Sequence, residues 1–410
     1  MLLNYIWIGL ILLSVVMGCV QFFFYGQADV FSLILNSTFS SAKTGFEISI
    51  GLTGVLALWM GILNIGEKGG VVTTLSRGVA PFFGRIFPEI PRNHPVFGTM
   101  FMNISANMLG LDNAATPMGL KAMSELQELN ADKQRATNAM IMFVVLGASG
   151  LTVIPTTIMA YRAQLGAANP ADVFLPLMMA TYFSTLAGLV SCCVAQHIRI
   201  WDKVILGTII GLTILVGALL FAAQRLPEAT LNRISTVVAA VLLLGVICWF
   251  IIQAMTRHIN VYDTFIDGAK DGFKTAVGII PYLIAILVAV GMFRASGAMG
   301  LLERGLAHCF EWCGINPDMA AAVPTALMKP LSGSGARGLM IEAMTTHGAD
   351  SLVGRLCCIL QGTTDTTFYV LAVYFGSIGI KNTRHAVACC LISDFVGIVA
   401  AFIIASIFFG

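Results

Sequence analysis

Residues 204–224 read VILGTIIGLTILVGALLFAAQ, without one Asp, Glu, Lys or Arg. About 20 apolar residues suffice for a helix to cross the hydrocarbon core of a bilayer. Other charge-free windows of comparable length lie at 1–28, 136–161, 173–196 and 234–256. Windows that are slightly shorter, or that contain one aspartate, lie at 48–66, 275–293, 356–380 and 386–409. We therefore predict an all-α polytopic membrane protein with about nine full crossings.

The composition of the whole chain agrees with this class. Of its 410 residues, 57% are apolar and 11% are charged, whereas about a quarter of an ordinary soluble domain is charged. The formal net charge of +2 indicates no polyanionic partner, so we expect contact with membrane lipid and not with nucleic acid. The first window lacks the basic start of a cleavable signal peptide, so we expect it to be a retained helix.

The chain contains an internal repeat. Residues 42–46 (AKTGF) recur as residues 269–273 (AKDGF), 227 positions later. Residues 119–123 match 340–344 at an offset of 221, and 147–160 match 362–375 loosely at an offset of 215. The collinear matches predict two similar halves, 1–198 and 230–410, joined by a transmembrane helix within 199–229.

Lysine and arginine placement predicts how the halves are oriented. With the N-terminus in the cytoplasm, the inside segments hold 13 Lys and Arg residues and the outside loops hold 6. In this topology an odd number of crossings, about five, separates equivalent points of the two halves. We therefore predict two inverted structural repeats, together with re-entrant or broken helices.

The first candidate site segment follows a short apolar run at 95–111, which is too short to span a membrane. Pro117 disfavours a regular helix through Thr116, so a re-entrant hairpin or an unwound helix tip is expected. Unwound backbone at membrane depth is tolerated inside protein or beside a water-filled cavity. The candidate binding residues of this tip are Asn107, Asp112, Asn113, Thr116 and Lys121.

The second half has KPLSGSGARG at the equivalent place, residues 329–338. Its G-x-G-x-x-G spacing does not indicate a dinucleotide site, because no strand precedes it. A flexible helix break is one interpretation. The other is a tip whose free N–H groups and arginine hold an anionic or carbonyl-bearing group, with Lys329, Ser332, Ser334 and Arg337 as the candidate residues.

A third polar segment, QGTTDTT at 361–367, interrupts an apolar window. A charged residue at the centre of a spanning helix costs about 2.5–3.5 kcal/mol on insertion scales, which favours a functional role. The all-oxygen surroundings suit Na⁺, a proton relay or the hydroxyls of a polyol. The candidates are Gln361, Thr364, Asp365 and Thr366. In the structural alternative, Asp365 pairs with Lys329 or Arg337; Asp394 is a further candidate for a buried ion pair.

No catalytic motif and no metal site is predicted. His308, Cys309 and Cys313 form at most a partial site, because a structural zinc normally needs four ligands. The adjacent cysteine pairs lie inside apolar helices, where cysteine acts as a small hydrophobe. We expect no cofactor other than a coupling Na⁺ or H⁺.

The polar segments carry a family resemblance. Residues 107–123 resemble the spore maturation protein A family, and residues 329–338 with 361–367 resemble the spore maturation protein B family. The resemblance implies a glycine at the position where this chain has Asp112. Both families carry the nucleoside-recognition or gate domain, which also occurs in concentrative nucleoside transporters and ferrous-iron transporters. The resemblance therefore implies a fusion of the two proteins, located in a bacterial inner membrane and built on a transporter-like core.

Two functions follow from this interpretation, and neither is enzymatic. The first is a transporter or binding protein for a small polar solute, nucleosides included, with its site between the repeats near the bilayer midplane. The alternative is a non-transporting partner or scaffold for envelope processes of the spore-maturation type. A transporter should have a cavity where the tips converge, whereas in a scaffold the tips should be packed shut. A homo-oligomer is compatible with either function.

Overall fold

The computed structural model describes residues 2–71, 74, 82–91, 94–108, 112–199, 201–225, 228–312 and 314–410. Within its helices, the side chains at positions 2, 3, 112–114, 117, 223, 224, 228, 229, 231–236 and 239 are outside this description. All regular elements among the described residues are helices. The predicted all-α class is confirmed.

Besides a short helical segment at 82–86, the first half contains seven described α-helices and the link is an eighth. They are α1 (Leu2–Tyr25), α2 (Val30–Lys68), α3 (Val96–Met108), α4 (Asp112–Glu128), α5 (Asn138–Ala148), α6 (Thr156–Gln164), α7 (Phe174–Ala195) and the linking helix α8 (Lys203–Arg225).

The second half repeats this order. Its elements are α9 (Glu228–Thr256), α10 (Val261–Ala295), α11 (Ala298–Trp312), a 3₁₀ helix (Pro317–Ala322), α12 (Val323–Met328), α13 (Gly333–His347), α14 (Leu352–Thr363), α15 (Thr367–Ser377) and α16 (Ala386–Phe409). Helices α9 and α10 correspond to α1 and α2, α12–α13 to α3–α4, α14–α15 to α5–α6, and α16 to α7.

Seven helices of the described part are long and apolar enough to cross a membrane, counting 352–377 as one interrupted span. The remaining predicted crossings, 136–161 and 234–256, contain the shorter apolar helices Asn138–Ala148 and Ala240–Thr256. Two predicted windows were too short, because α2 begins at Val30 and not at residue 48, and α10 begins at Val261 and not at residue 275. Charged residues such as Glu47 and Lys274 end a hydropathy window, but they are compatible with a continuing helix.

The long helices α2 and α10 pack against each other in opposite directions. A Cβ atom at Gly45 would lie 3.3 Å from Ile284, and one at Gly272 would lie 2.7 Å from the Cα atom of Ala57. Near the ends of the contact, Gly291 lies beside Ser41. Residue numbers rise along α2 as they fall along α10, so these equivalent helices are antiparallel.

Helices α7 and α16 form a second antiparallel pair of equivalent helices. A Cβ atom at Gly188 would lie 3.2 Å from Oγ of Ser393, and one at Gly397 would lie 3.0 Å from Cβ of Ser184. Because equivalent helices run in opposite directions in both pairs, the predicted inversion of the two repeats is confirmed.

Each half has a broken helix: the first break lies between α5 and α6, and the second lies between α14 and α15. The two breaks contact each other. The backbone N–H of Asp365 donates to the carbonyl of Ala148 across a distance of 2.8 Å. A Cβ atom at Gly150 would lie 2.7 Å from the backbone of Thr364, and Gly150 has a φ of +66°. Only glycine meets both conditions without strain. The sequence predicted broken helices, and the contact between the two breaks brings polar backbone together in the middle of the bundle.

Each tip is tied to the break of its own half by the same kind of bond. The carbonyl of Met108, at the end of α3, accepts from Val153 N at 2.8 Å, and the carbonyl of Pro330 accepts from Phe368 N at 3.1 Å. One detail of the first tip was predicted wrongly, since α4 begins at Asp112 and continues through Thr116 and Pro117.

Candidate functional site

A cavity of about 830 Å³ lies where the two tips and the two breaks converge. Its lining includes most of the residues that the sequence singled out: Asn107, Thr116, Lys329, Ser332, Ser334, Arg337, Gln361, Thr364, Asp365 and Thr366. Lys121 is not in this lining; its side chain is exposed and lies 3.9 Å from Glu125 one turn further along α4. The side chains of Asp112 and Asn113 fall outside the described residues.

The first tip is held to the second half by a buried amide. Asn103 on α3 is fully buried, and its Nδ2 donates to the carbonyl of Ala115 at 2.6 Å and to Oη of Tyr374 at 3.2 Å. Asn107 lies one turn further along α3 and lines the cavity. Asn103 therefore fixes the hairpin against α15, while Asn107 faces the space between them.

The second tip is organised by the start of α13. The hydroxyl of Ser332 accepts from Gly335 N at 3.1 Å and lies 3.3 Å from the hydroxyl of Ser334. A Cβ atom at Gly333 would lie 2.6 Å from Oγ1 of Thr366, so the tip rests directly on the second break. The first turn of α13 thereby presents unpaired N–H groups and the positive end of a helix dipole at the cavity.

Two cationic side chains reach the same space. The guanidinium carbon of Arg337 lies 6.0 Å from the centre of the Tyr161 ring, and Arg337 takes part in no ion pair among the described residues. Lys329 is 6% exposed and also lines the cavity. Glu342, which lies on the same helix as Arg337, forms an ion pair with Arg294.

Asp365 is exposed to the cavity. Its Oδ1 accepts from the backbone N–H of Thr366 at 2.7 Å. None of the ion pairs found among the described residues involves Asp365. The amide of Gln361 donates to the carbonyl of Gly333 at 3.4 Å, and its Oε1 is buried without a hydrogen-bond partner.

Sequence reasoning missed the aromatic part of the lining. The cavity is bordered by the rings of Tyr161, Phe368, Tyr369 and Tyr374. It also includes Thr152, Thr156 and Thr157 of the first break. Aromatic residues in apolar helices are ordinary packing residues in most membrane proteins, so no pattern distinguished these rings. The threonines lie within 147–160, the segment that matches 362–375 in the sequence.

A buried ionic network joins the halves away from the cavity. Arg162 is fully buried, and its Nη2 lies 2.7 Å from Asp172 and 2.9 Å from Asp350. Arg355 Nε lies 2.8 Å from the other oxygen of Asp172. Burial raises the pKa of the Asp172 carboxyl group above its ordinary value, although the charges of Arg162 and Arg355 oppose that rise. The network fixes the end of α6 to the start of α14.

Comparisons with known proteins agree with this architecture. The Gate family, described as nucleoside recognition, matches residues 49–168 and 276–381, more than half of the chain. Spore maturation protein B of Bacillus subtilis (strain 168) is 40% identical over 181 residues, which are 44% of this chain and 95% of that protein. Spore maturation protein A of the same organism is 34% identical over 189 residues, which are 46% of this chain and 93% of that protein.

No solved structure matches the chain. Each of the two relatives corresponds to about half of it, as expected for a fusion of an A-like and a B-like half. The chain is a multi-pass membrane protein that belongs to the Gate, or nucleoside-recognition, family.

Proposed function

We propose that this protein binds a small polar solute of the nucleoside type in the central cavity and moves it across a bacterial inner membrane. The observation that carries the proposal is the cavity itself, which is lined by both tips and both breaks. Its volume of about 830 Å³ lies within the range of small-molecule sites. A scaffold with no solute would gain stability by packing this space shut.

The chemistry of the lining supports a nucleoside-like solute. Rings such as Tyr161 and Tyr374 offer faces on which a base can stack. Asp365 and the threonine hydroxyls offer acceptors and donors for ribose hydroxyls. Arg337 and the N-terminal turn of α13 offer donors for a carbonyl or anionic group. The description of the matching family, nucleoside recognition, supports the same solute class.

The inverted repeats support movement in addition to binding. In many secondary transporters, two inverted repeats exchange conformations around a fixed midplane site, and Na⁺ or H⁺ binding drives the exchange. We propose the same use here, with the N-terminus in the cytoplasm as the distribution of Lys and Arg indicates.

A second candidate function is favoured by the names of the relatives. Both are spore maturation proteins, so a role as a non-transporting partner of envelope enzymes is also proposed. In that role the cavity would hold water and would show no solute specificity. The two candidates are therefore separated by a binding measurement.

The experiment is a binding screen on the purified full chain in detergent. Nucleosides, nucleobases and ribose are tested by thermal shift, and positive compounds are measured by equilibrium binding and by uptake into proteoliposomes. We expect saturable binding of at least one nucleoside, lost in Arg337→Gln. Lys121→Gln is the matched control, because Lys121 is exposed outside the cavity lining. A cavity that binds none of these compounds would favour the second candidate.

A further inference from the structure

Asp394 on α16 is a buried carboxylate that the central cavity does not use. Its side chain is 2% exposed, and neither carboxylate oxygen has a hydrogen-bond partner. It does not line the cavity, and no ion pair among the described residues includes it. An ionised carboxylate in such a place is costly unless a proton, a cation or a positive side chain neutralises it.

The surroundings of Asp394 are made of oxygen atoms at the second break. The hydroxyl groups of Thr367 and Thr364 face it. Thr367 is 0% exposed, and its Oγ1 is also without a hydrogen-bond partner. One turn after Asp394, a Cβ atom at Gly397 would lie 2.8 Å from Thr363 and 3.1 Å from Thr364. This face of α16 therefore lies directly against the break between α14 and α15.

The first repeat shows what the same place looks like without a carboxylate. Ser184 and Ser393, 209 positions apart, contact each other at equivalent points of α7 and α16, so Thr185 is equivalent to Asp394. Thr185 Oγ1 accepts from Ser149 Oγ at 3.1 Å, which closes a neutral pair beside the first break. The second repeat has Thr364 and Asp394 at these positions, so the hydroxyl of Thr364 faces a carboxylate and not a second hydroxyl.

We propose that Asp394, with the hydroxyls of Thr364 and Thr367, binds Na⁺. One cation can contact a carboxylate oxygen and both hydroxyl oxygens at the same time, whereas a proton is held by one carboxylate oxygen only. Hard cations prefer oxygen ligands of this kind. Helix α14 ends at Thr363, so its C-terminal carbonyls and the negative end of its dipole also lie at this place.

The site is next to the solute cavity and separate from it. Thr364 belongs to both, because it faces Asp394 and lines the cavity. Lys329, whose charge acts on Asp394, lines the cavity as well. Binding of Na⁺ would therefore fix the break that carries Asp365. The inference deepens the coupling part of the proposed function, but its test needs no solute.

The test measures Na⁺ binding to the purified full chain. Thermal unfolding is followed as NaCl replaces choline chloride at constant ionic strength, and binding of radioactive Na⁺ is measured in parallel. We expect a saturable rise in melting temperature with Na⁺ that KCl does not reproduce. Asp394→Asn and Asp394→Thr, the latter restoring the residue of the first repeat, should lose both the rise and the bound Na⁺.

The controls decide between Asp394 and the other charged groups. Thr185→Ala, at the equivalent position, and Asp365→Asn, in the cavity, should keep the Na⁺ response. An unchanged response in both Asp394 variants would overturn the proposal. So would stabilisation by acid that is independent of Na⁺, or a response that appears only in Lys329→Gln, which would assign the neutralising charge to Lys329. Failure of solute binding alone leaves this result intact and counts only against the proposed function.

Discussion

The hydroxyl oxygens of Ser184 and Ser393 lie 2.9 Å apart at the crossing of α7 and α16. Each also reaches the other's backbone, since Ser393 Oγ donates to the Ser184 carbonyl at 2.8 Å and Ser184 Oγ lies 3.2 Å from the Ser393 carbonyl. Such a reciprocal pattern arises when a two-fold axis relates the two residues. The pseudo-two-fold axis that relates the two repeats therefore passes through this pair.

Cross-linking tests the antiparallel packing of α7 and α16. The thiols of Cys192 and Cys389 face each other across this contact. In a variant that keeps only these two cysteines, with a protease site inserted between α8 and α9, we expect mild oxidation to join the two fragments on a non-reducing gel.

The control pairs Cys192 with a cysteine introduced by Ala401→Cys. If the helices were parallel, positions 209 apart would be neighbours throughout the contact, and this second pair would cross-link instead. Cross-linking of the control pair and not of the first would contradict the inverted packing.

Adding a single methyl group to a glycine of α10 tests its close contact with α2. Gly272→Ala places a Cβ atom 2.7 Å from the backbone of Ala57, so we expect a loss of about 1–3 kcal/mol in the free energy of unfolding. Gly278→Ala is the matched control in the same helix, because nothing lies within 4 Å of its Cβ position. It should be neutral or stabilising by about 0.5–1 kcal/mol. Equal melting temperatures for the two variants would argue against the close approach.

The ionic network should contribute to stability and not to solute binding. Asp172→Asn removes one of the carboxylates that contact buried Arg162. We expect a loss of about 3 kcal/mol, the lower end for a buried pair, because Asp350 still contacts Arg162. Glu47→Gln, which breaks an exposed pair with Lys43, should cost less than about 1 kcal/mol. Denaturation in detergent compares the stabilities of the two variants. Similar small losses of stability in both would show that the ionic network is not needed for stability.

We expect the stability of the protein to depend on pH through His385. Burial, and then the charge of Arg384, hold the pKa of His385 below its ordinary value. Its Nε2 lies 3.3 Å from Nε2 of Gln196, which can donate only to a neutral ring. The unfolded chain therefore binds a proton at His385 more readily than the folded chain does. The contribution of neutral His385 to stability is complete above the ordinary pKa of about 6.5 and is lost as the pH falls through that value. Melting curves at about pH 8 and about pH 5 should differ less in His385→Gln, and an undiminished difference would exclude His385 as its source.

Asp365 should affect solute binding and leave stability nearly unchanged. Its carboxylate is exposed to the cavity and pairs with no described cation, so Asp365→Asn should change the free energy of unfolding by less than about 0.5 kcal/mol. Solute binding or transport should be abolished. Thermal melting beside the binding assay checks both expectations. A destabilised variant with unchanged affinity would make Asp365 a structural residue.

Hydropathy and the repeat predicted most of the architecture, including the broken helices and the inversion. The starts of α2 and α10 were missed, because polar residues lower hydropathy while each long helix is covered by the other. Thr116 and Pro117 were placed outside a regular helix, although α4 passes through them. Local chain preferences cannot reveal how far tertiary packing extends a helix.

The candidate site was visible where polar residues interrupt apolar segments, as at Ser332 and Asp365. Lys121 illustrates the limit of that signal, since a charge next to a tip can equally point away from the cavity. Tyr161 and Tyr374 show the opposite case, because rings that line the cavity resemble those that face lipid. The sequence alone does not distinguish residues that line the cavity from residues that face away from it. The contact between the two breaks, which creates the cavity, makes this distinction.

The linking helix α8 has a consequence for how such a chain can vary. Only 11% of an apolar window within its stretch 203–222 is buried inside the protein, so few contacts constrain its sequence. The number of membrane passages between the halves, however, must be odd. Each half enters and leaves the membrane on the same side, so one extra passage is needed for the second half to face the other way. Many apolar segments could therefore replace α8, whereas deleting it or doubling it would leave the halves unable to interlock.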